Sequence, residues 1–242
     1  MNDLELFESL LNTCTTDDLH SAISRVTQDM GYEHFIYGVQ VNISLTRPYQ
    51  FILSGYPRDW REHYEKAGYA HIDPTFRHCI NEKRVIPVIW NSKVFSSRPA
   101  ARLMSEAKDF RLASGASFAV HGRNGEAAML SLASSRSSKQ ARTDIVGTLG
   151  KAQLLACYIH EAIQRLVLSK DALAIRNVSL SEREKECLRW AAEGKTSWEI
   201  GNIARISERT VIFHLQNASR KMGVSNRRHA VARAVSMGLV FS

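Results

Sequence analysis

The last quarter of the chain carries four short helical patterns, each with its own start signal. Ser181 and Glu184 have the spacing of a capping box, in which the serine oxygen accepts a free backbone amide and the glutamate accepts the amide of the cap residue. Thr196 and Glu199 repeat that spacing. Ser207 and Ser225 are the predicted caps of the third and fourth helices, and glycines end three of the four: Gly194, Gly223 and Gly238. Because isolated helices this short are marginal in water, the pattern predicts a compact all-α unit of four helices.

The second and third of these helices are separated only by residues 204–207, which is the spacing of a helix-turn-helix. On the third helix, apolar residues recur at helical spacing and are predicted to face the core: Val211, Leu215, Ala218 and Met222. The opposite face carries Arg209, Ile212, Phe213, Gln216 and Arg220. An exposed Ile-Phe pair beside glutamine and arginine suits a helix in the DNA major groove, where glutamine reads adenine and apolar groups contact thymine methyls.

The flanks of the third helix supply predicted phosphate contacts, namely Ser207, Thr210, His214, Asn217 and Lys221. The alternative is a small helical bundle with an ordinary basic surface. The charge distribution favours DNA binding, because residues 177–242 hold 11 basic and 6 acidic side chains, whereas the preceding 176 residues hold 21 and 18. Most of the net charge of +8 therefore lies in the predicted DNA-binding unit, as expected for a module that binds a polyanion.

The segment 179–240 closely resembles the LuxR-type DNA-binding domain. The resemblance rests on several short motifs: Ser181 with Glu184, Gly194-Lys195-Thr196, Glu199-Ile200, Thr210-Val211, His214, Asn217 and Lys221-Met222. It implies that Ile212, Phe213 and Gln216 approach base edges, and that the fourth helix contributes to dimerisation.

The residues before this unit mix helical and strand patterns. Apolar residues at helical spacing predict helices at 3–11, 16–30, 57–67 and 143–169. Aromatic and β-branched residues predict strands at 35–41, 49–54, 117–121 and 127–134, the last two joined by a hairpin turn at Asn124-Gly125. We therefore predict an α/β domain at 1–168, a linker at 169–176 and the helical domain at 177–242.

Several function classes are disfavoured by what the sequence lacks. No apolar run approaches the ~20 residues of a membrane span, and the acidic start does not resemble a secretory signal, so we expect a cytoplasmic protein without a membrane partner. The four cysteines are scattered and predicted to be reduced, mostly buried and not metal ligands: Cys14, Cys79, Cys157 and Cys187. Because the sequence contains no phosphate loop, phosphoacceptor cluster or activated nucleophile, we assign no catalytic residue and expect neither a cofactor nor enzymatic activity.

An aromatic cluster is the clearest feature of the first domain. Tyr56, Trp60 and Tyr64 recur every four residues, so one helix is predicted to present three amphipathic rings on one face, with Asp73 and Trp90 following. Such rings suit a ligand that is part polar and part apolar, and a carboxylate in a dry pocket binds an N–H group strongly. An aromatic core with internally satisfied polar groups fits the same spacing equally well, so spacing alone leaves both interpretations open.

Residues 20–165 resemble the autoinducer-binding domain of LuxR-type quorum-sensing receptors. The matching residues are Tyr37-Gly38, Tyr56-Pro57, Trp60, Tyr64, Asp73-Pro74, Trp90 and Gly115. The resemblance implies an α/β/α sandwich with a central antiparallel sheet that binds an N-acyl-homoserine lactone.

The same resemblance implies individual roles for the site residues. The Trp60 N–H would bind the lactone carbonyl, and Asp73 would accept the amide N–H. The Tyr56 hydroxyl, helped by Ser131, would bind the amide carbonyl, with Thr75 as a lesser contributor. The lactone ring and acyl chain would lie against apolar and aromatic walls: Tyr64, Trp90, Ile52, Phe76 and Leu103.

The sequence therefore predicts a transcriptional regulator that binds an N-acyl-homoserine lactone and acts as a homodimer on palindromic double-stranded operator DNA, with RNA polymerase as a further candidate partner. The alternative is a regulator of the same architecture that lacks a cognate synthase and responds to another small molecule or to none. An acyl-transferring or hydrolysing enzyme is the third hypothesis, and the absence of a nucleophile motif argues against it.

Overall fold

The computed structural model describes residues 3–41, 48–82, 84–122, 125–137, 139–169 and 179–240. It divides the chain into two compact units, the first drawn from residues before Asp171 and the second including all of 171–242. The predicted linker, apart from Ser169, and the turn residue Asn124 lie outside the described residues. Among the helices described, none has the length and hydropathy of a membrane-spanning segment.

The first unit is built on a five-stranded antiparallel sheet with the strand order β2-β1-β5-β4-β3. The strands are β1 (His34–Val41), β2 (Tyr49–Ser54), β3 (Val88–Ile89), β4 (Ser114–His121) and β5 (Glu126–Ser134). Strands β4 and β5 form the predicted hairpin, in which Ser117 is directly opposite Ser131. The helices are α1 (Asp3–Leu11), α2 (Thr16–Asp29), α3 (Arg58–Lys66), α4 (Pro74–Phe76), α5 (Arg98–Asp109) and α6 (Lys139–Ile163).

Helices cover both faces of this sheet. On one face, Tyr37 of β1 hydrogen-bonds His160 of α6, and Phe35 packs against His20 of α2. The other face of the sheet lies towards α3, α4 and α5, which supply the second wall of a cavity. The α/β/α fold class is thereby confirmed.

The sequence predictions for this unit failed at Tyr56 and at α5. Strand β3 contains only two residues of the apolar run 85–89. Tyr56 precedes α3 instead of belonging to it, because the helix begins at Arg58 with Pro57 as its cap. Helix α5 was not predicted, although Ser97 caps it through the Ala100 amide and a proline occupies its first turn. Helix α6, the last helix of this unit, continues into a π-helical turn, Gln164–Leu168.

The second unit contains the four predicted helices: α7 (Glu182–Ala192), α8 (Ser197–Ala204), α9 (Glu208–Lys221) and α10 (Arg227–Ser236). Both capping boxes are formed, at Ser181 with Glu184 and at Thr196 with Glu199. The core contains the predicted apolar residues of the third helix: Val211, Leu215, Ala218 and Met222.

Two further expectations need correction. The cap of α10 is Asn226 and not Ser225. The side-chain oxygen of Asn226 accepts a hydrogen bond from the backbone amide of His229, at 2.9 Å, in the first turn of the helix. All four cysteines are free, but Cys14 and Cys157 are exposed, so only half of them are buried. Their sequence positions alone could not distinguish the outer from the inner face of a helix such as α6.

Candidate functional site

The first unit encloses a cavity of about 460 Å³ between the sheet and the helices α3 to α5. The seven predicted ligand-binding residues all line it: Tyr56, Trp60, Tyr64, Asp73, Thr75, Trp90 and Ser131. The predicted apolar walls Ile52, Phe76 and Leu103 line it as well. The geometry thus brings together residues from six different segments of the chain, while their roles as ligand contacts stay predictions.

Asp73 is held in place because its carboxylate also caps the short helix α4. One oxygen, Oδ1, accepts the backbone amides of Thr75 at 2.8 Å and Phe76 at 3.3 Å, and the Thr75 hydroxyl at 2.7 Å. The other oxygen, Oδ2, accepts only the Tyr64 hydroxyl, at 2.9 Å. Since a carboxylate oxygen has two lone-pair positions, Oδ2 retains one that is available to a ligand donor.

The hydroxyls of Tyr56 and Tyr64 differ in their partners. The Tyr64 hydroxyl donates to Asp73, whereas the Tyr56 hydroxyl is buried and has no hydrogen-bond partner in the part of the chain that the structure describes. Burial, and secondly the charge of Asp73, raises the pKa of both tyrosines well above the ordinary value. Both hydroxyls therefore stay protonated, and that of Tyr56 is an unused donor.

Trp60 contributes a second unused donor. Its side chain is buried among aromatic rings, with centroid distances of 6.0 Å to Tyr64, 6.3 Å to Tyr69 and 5.4 Å to Phe110. These contacts fix the plane of the indole. Its N–H donates no hydrogen bond to any described residue and is left for a ligand carbonyl.

Trp90 and Ser131 are connected through Ser117, a residue that the sequence did not single out. The Trp90 N–H donates to the Ser117 hydroxyl at 3.0 Å, and the hydroxyls of Ser117 and Ser131 are 2.7 Å apart. Trp90 can lie this close to the sheet because residue 115 is glycine. A Cβ atom on Gly115 would be 2.3 Å from the Leu132 carbonyl oxygen and 3.0 Å from the Trp90 ring.

The polar groups that face the cavity have a distinctive balance. Tyr56 and Trp60 offer donors without partners, Ser131 offers a hydroxyl, and Asp73 offers one acceptor position. The remaining lining is largely apolar and includes Phe95, Met104, Ala107, Leu112 and Met129. Such a site is complementary to an elongated molecule with several carbonyl oxygens and one N–H or O–H group.

A carboxylate outside the cavity lining braces the wall that holds Trp60. Glu106 of α5 accepts hydrogen bonds from Tyr69, from Arg102 at 2.6 Å and from His63 of α3 at 2.6 Å. These donors, Tyr69 above all, lower the pKa of Glu106 to about 2. This cluster could not be predicted from local sequence patterns, because its members come from three separate segments.

The turn between α8 and α9 depends on a glycine inside α8. A Cβ atom on Gly201 would be 2.8 Å from the carbonyl oxygen of Ile206. Arg205 ends α8 in the left-handed conformation with φ 55°, and Ser207 then caps α9 by accepting the Thr210 amide at 3.1 Å. The sequence carries a signal for this close contact, namely a glycine within the helical pattern EIGNIA. Glycine costs about 1 kcal/mol in a helix, so its presence there indicates that a larger side chain would not fit.

The outer face of α9 presents the side chains predicted to enter a DNA groove. Ile212 is 40% exposed and Phe213 is 56% exposed, which is high for apolar residues of a folded domain. Arg209, Gln216 and Arg220 are exposed on the same helix. Of the predicted phosphate contacts, Ser207 is exposed and Thr210, His214 and Asn217 are partly buried.

Lys221, a predicted phosphate contact, is exposed and also makes contacts within its own domain. Its ammonium lies 2.8 Å from a carboxylate oxygen of Glu184 and 3.0 Å from the Ser179 carbonyl oxygen. Burial opposes ionisation of Glu184, but Lys221 and the Ser181 amide outweigh it and lower the pKa of this carboxyl. Lys221 thus connects α9 to the start of α7, and this contact competes with the predicted role in phosphate binding.

No group of His, Cys, Asp or Glu with the geometry of a metal site occurs among the described residues.

Residues 15–163 match the family described as autoinducer binding domain, and residues 178–234 match the luxR family of bacterial regulatory proteins. The chain belongs to the LuxR family of autoinducer-binding transcriptional regulators.

Curated relatives match over almost the whole chain. The transcriptional activator protein VanR of Vibrio anguillarum is 31% identical, over 98% of this chain and 97% of the relative. The transcriptional activator protein AnoR of Acinetobacter nosocomialis is 32% identical, over 98% of each chain. These relatives are regulators and not enzymes, in agreement with the absence of a nucleophile motif.

Solved structures show the same architecture. The structure of SdiA in complex with octanoyl-rac-glycerol is 26% identical and has a TM-score of 0.76, with coverage of 98% of this chain and 95% of that one. A further structure of SdiA, from Escherichia coli, is 25% identical with a TM-score of 0.76 and covers 99% and 98%.

Proposed function

We propose that this regulator binds an N-acyl-homoserine lactone in its first domain and, as a homodimer, uses α9 to bind palindromic operator DNA. The observation that carries the proposal is the balance of unused polar groups in the cavity. Two donors without partners among the described residues, one hydroxyl and one free acceptor position lie around a cavity whose lining is mostly apolar. Polar and charged side chains also contribute to the lining, namely Gln40, Gln50, Arg61, Glu65 and His71. An N-acyl-homoserine lactone carries the complementary set, with two carbonyl groups, one amide N–H and an alkyl chain.

The groups can be paired one by one. Trp60 would donate to the lactone carbonyl, and the free position of Asp73 Oδ2 would accept the amide N–H. Tyr56 and Ser131 would both donate to the amide carbonyl. The pairing with Tyr56 satisfies a hydroxyl whose burial without a partner costs about 1–3 kcal/mol, so binding the ligand would relieve that penalty as well as form new contacts.

The size of the cavity also supports the proposal. A volume of about 460 Å³ lies within the range of about 300–1,000 Å³ that small-molecule sites occupy. Thr75 hydrogen-bonds Asp73 and so would act by orienting the carboxylate. The acyl chain would lie against Ile52, Phe76 and Leu103.

A monoacylglycerol is the second candidate ligand. SdiA, a structural relative, has been solved in complex with octanoyl-rac-glycerol. A glycerol hydroxyl can donate to Asp73 as an amide N–H does, and an ester carbonyl can accept from Tyr56. Such a regulator would respond to a small molecule other than a lactone and would need no cognate synthase.

The output would depend on the exposed face of α9. Gln216 would read a base edge, Ile212 and Phe213 would contact thymine methyls, and Arg209 with Arg220 would flank them. Backbone phosphates would be bound by the start of the helix and its polar flank, namely Ser207, Thr210, His214 and Asn217.

The family resemblance implies dimerisation through α10, whose Val235 is 39% exposed. Binding to operator DNA implies that the protein acts in the cytoplasm, where RNA polymerase would be a further partner.

Isothermal titration of the full-length protein with N-octanoyl-homoserine lactone and with 1-octanoylglycerol tests the ligand. We expect saturable binding of the lactone, a weaker response to the glycerol ester, and a loss of at least tenfold in lactone affinity for Asp73→Asn, because the amide N–H would lose a charged acceptor. Equal binding by the wild type and by Asp73→Asn would contradict the pairing. A preference for the ester would favour the second candidate.

A gel-shift titration with and without lactone tests the output, and sedimentation velocity measures the oligomeric state in the same buffer. Binding of a palindromic site by a dimer, with an affinity that the lactone alters, is the expected result. A protein that stays monomeric on DNA and ignores the lactone would contradict it.

A further inference from the structure

Ser117 lies behind the cavity wall, where it connects Trp90 to Ser131. It is fully buried, and its hydroxyl oxygen accepts the Trp90 N–H at 3.0 Å. Among the described residues, the only other polar atom paired with it is the Ser131 hydroxyl oxygen, 2.7 Å away on the neighbouring strand β5. Ser131 itself is 2% exposed and lines the cavity.

The direction of this chain of hydrogen bonds follows from counting hydrogens. An indole N–H can only donate, so the Ser117 oxygen is an acceptor in the contact with Trp90. The Ser117 hydroxyl then has one hydrogen to place, and Ser131 is its sole partner among the described residues. If Ser131 donated instead, the Ser117 hydrogen would be buried without an acceptor, which is unfavourable.

We infer that Ser117 is a specificity-determining residue, which fixes the hydroxyl of Ser131 as a donor pointing into the ligand cavity. The hydrogen bonds run from Trp90 to Ser117, from Ser117 to Ser131, and from Ser131 to the bound ligand. Because neighbouring hydrogen bonds polarise one another, the chain strengthens the final donor. The ligand group selected at this point is a hydrogen-bond acceptor, which in an acyl ligand is the carbonyl oxygen.

This inference rests on the proposed function for the identity of the ligand. The direction of the hydrogen bonds from Trp90 through Ser117 to Ser131, called the relay below, does not depend on a bound ligand. It also gives Trp90 a role beyond that of an apolar wall. Ser117 does not belong to the set of predicted ligand contacts, so it acts through Ser131 and is a positioning residue.

The relay can be tested in the unliganded, full-length protein by its indole NMR signals. Labelling tryptophan with ¹⁵N gives one N–H signal for each of the four indoles, and Trp90→Phe assigns the relevant one. We expect Ser131→Ala to move the Trp90 indole proton upfield, because Ser117 loses its acceptor and polarises the indole bond less. Ser219→Ala removes a hydroxyl of α9 and serves as the matched control, for which no shift is expected.

A double-mutant cycle tests the coupling to the ligand. We expect Ser117→Ala to raise the Kd for N-octanoyl-homoserine lactone about fivefold, the equivalent of one hydrogen bond, in the wild-type background. In the Ser131→Ala background the same change should have less than about a twofold effect, because the residue through which Ser117 acts is gone. Ser117→Thr keeps the hydroxyl and should restore affinity, and thermal unfolding of each variant checks that it folds.

The outcomes separate the relay from the proposed function. An unmoved Trp90 signal in Ser131→Ala, or an equal loss of affinity in both backgrounds, would overturn the relay. A wild-type protein that binds neither the lactone nor 1-octanoylglycerol would contradict the proposed function, while the unliganded spectra would still decide the relay.

Discussion

Replacing Tyr56 by phenylalanine should stabilise the unliganded protein and weaken ligand binding. The Tyr56 hydroxyl is buried and has no partner, so its removal relieves a penalty. Burying an unpaired hydroxyl costs about 1–3 kcal/mol. A gain of about 1 kcal/mol should raise the Tm of a domain of this size by about 2–4 °C.

The same variant should bind N-octanoyl-homoserine lactone about thirtyfold more weakly. The complex loses one hydrogen bond, worth about 1 kcal/mol, while the free protein gains a similar amount, so the two effects add to about 2 kcal/mol. Differential scanning calorimetry of the unliganded protein and isothermal titration with the lactone measure the two quantities separately.

Tyr64→Phe is the matched control, because it removes the same atom from a hydroxyl that donates to Asp73 at 2.9 Å. Losing a hydrogen bond to a charged group should cost about 1.5–3 kcal/mol and lower the Tm. The two variants are therefore expected to shift the Tm in opposite directions. If both lowered the Tm, or if Tyr56→Phe kept full affinity, the assignment of Tyr56 as an unused donor would be refuted.

Four further predictions concern the remaining elements. Gln216→Ala should reduce the ratio of operator to random-DNA affinity about tenfold or more in a gel shift, because it removes a base contact; an equal loss on both DNAs would argue against that contact. Lys221→Ala should lower the stability of the second domain by about 1 kcal/mol in urea unfolding, since the buried Glu184 carboxylate loses its cation while still accepting the Ser181 amide; unchanged stability would show that this ion pair does not stabilise the domain. Gly201→Ala should cost about 1–3 kcal/mol despite the better helix propensity of alanine, because its Cβ meets the backbone of the next turn, and a rise in Tm would disprove that close contact. The lowered pKa of Glu106 means that its stabilising effect is complete above about pH 4.3 and is lost as the pH falls to about 2, so Glu106→Gln should unfold with a weaker pH dependence across that window than the wild type.

Predictions that depend on a few neighbouring residues agree with the structure. The capping boxes at Ser181 and Thr196 need only residues three positions apart, and helix periodicity identified the buried and exposed faces of α9. Asn226 shows the limit of predicting helix caps from residue type. Serine and asparagine are equally good caps, so the neighbouring Ser225 and Asn226 could not be distinguished as the cap of α10.

Features that depend on the tertiary fold were beyond the sequence. The pairing of Lys221 with Glu184 joins residues from two helices, and that of Ser117 with Ser131 requires the register of two strands. The bonds of Glu106 likewise span three segments. The family resemblance supplied the seven cavity residues, but it did not indicate which of their hydrogens are already used.

Helix α5 was missed for a different reason. Its start signal, Ser97 followed by Pro99, is visible in the sequence, and its apolar residues Leu103 and Ala107 are buried at helical spacing. Three of its apolar positions are alanines, which mark a buried helix face less clearly than larger side chains do. It supplies one wall of the cavity, so its omission left the predicted site open on that side.

The double use of the Asp73 carboxylate limits how ligand preference can change during evolution. A substitution that removes the side-chain oxygens removes the cap of α4 together with the ligand acceptor, so a single step would damage the fold and the site at once. Tyr56, Ser117 and Ser131 are not under that constraint, since none of their side chains caps a helix. New ligand preferences in this scaffold are therefore expected to arise on the donor side of the cavity, with the acceptor kept fixed.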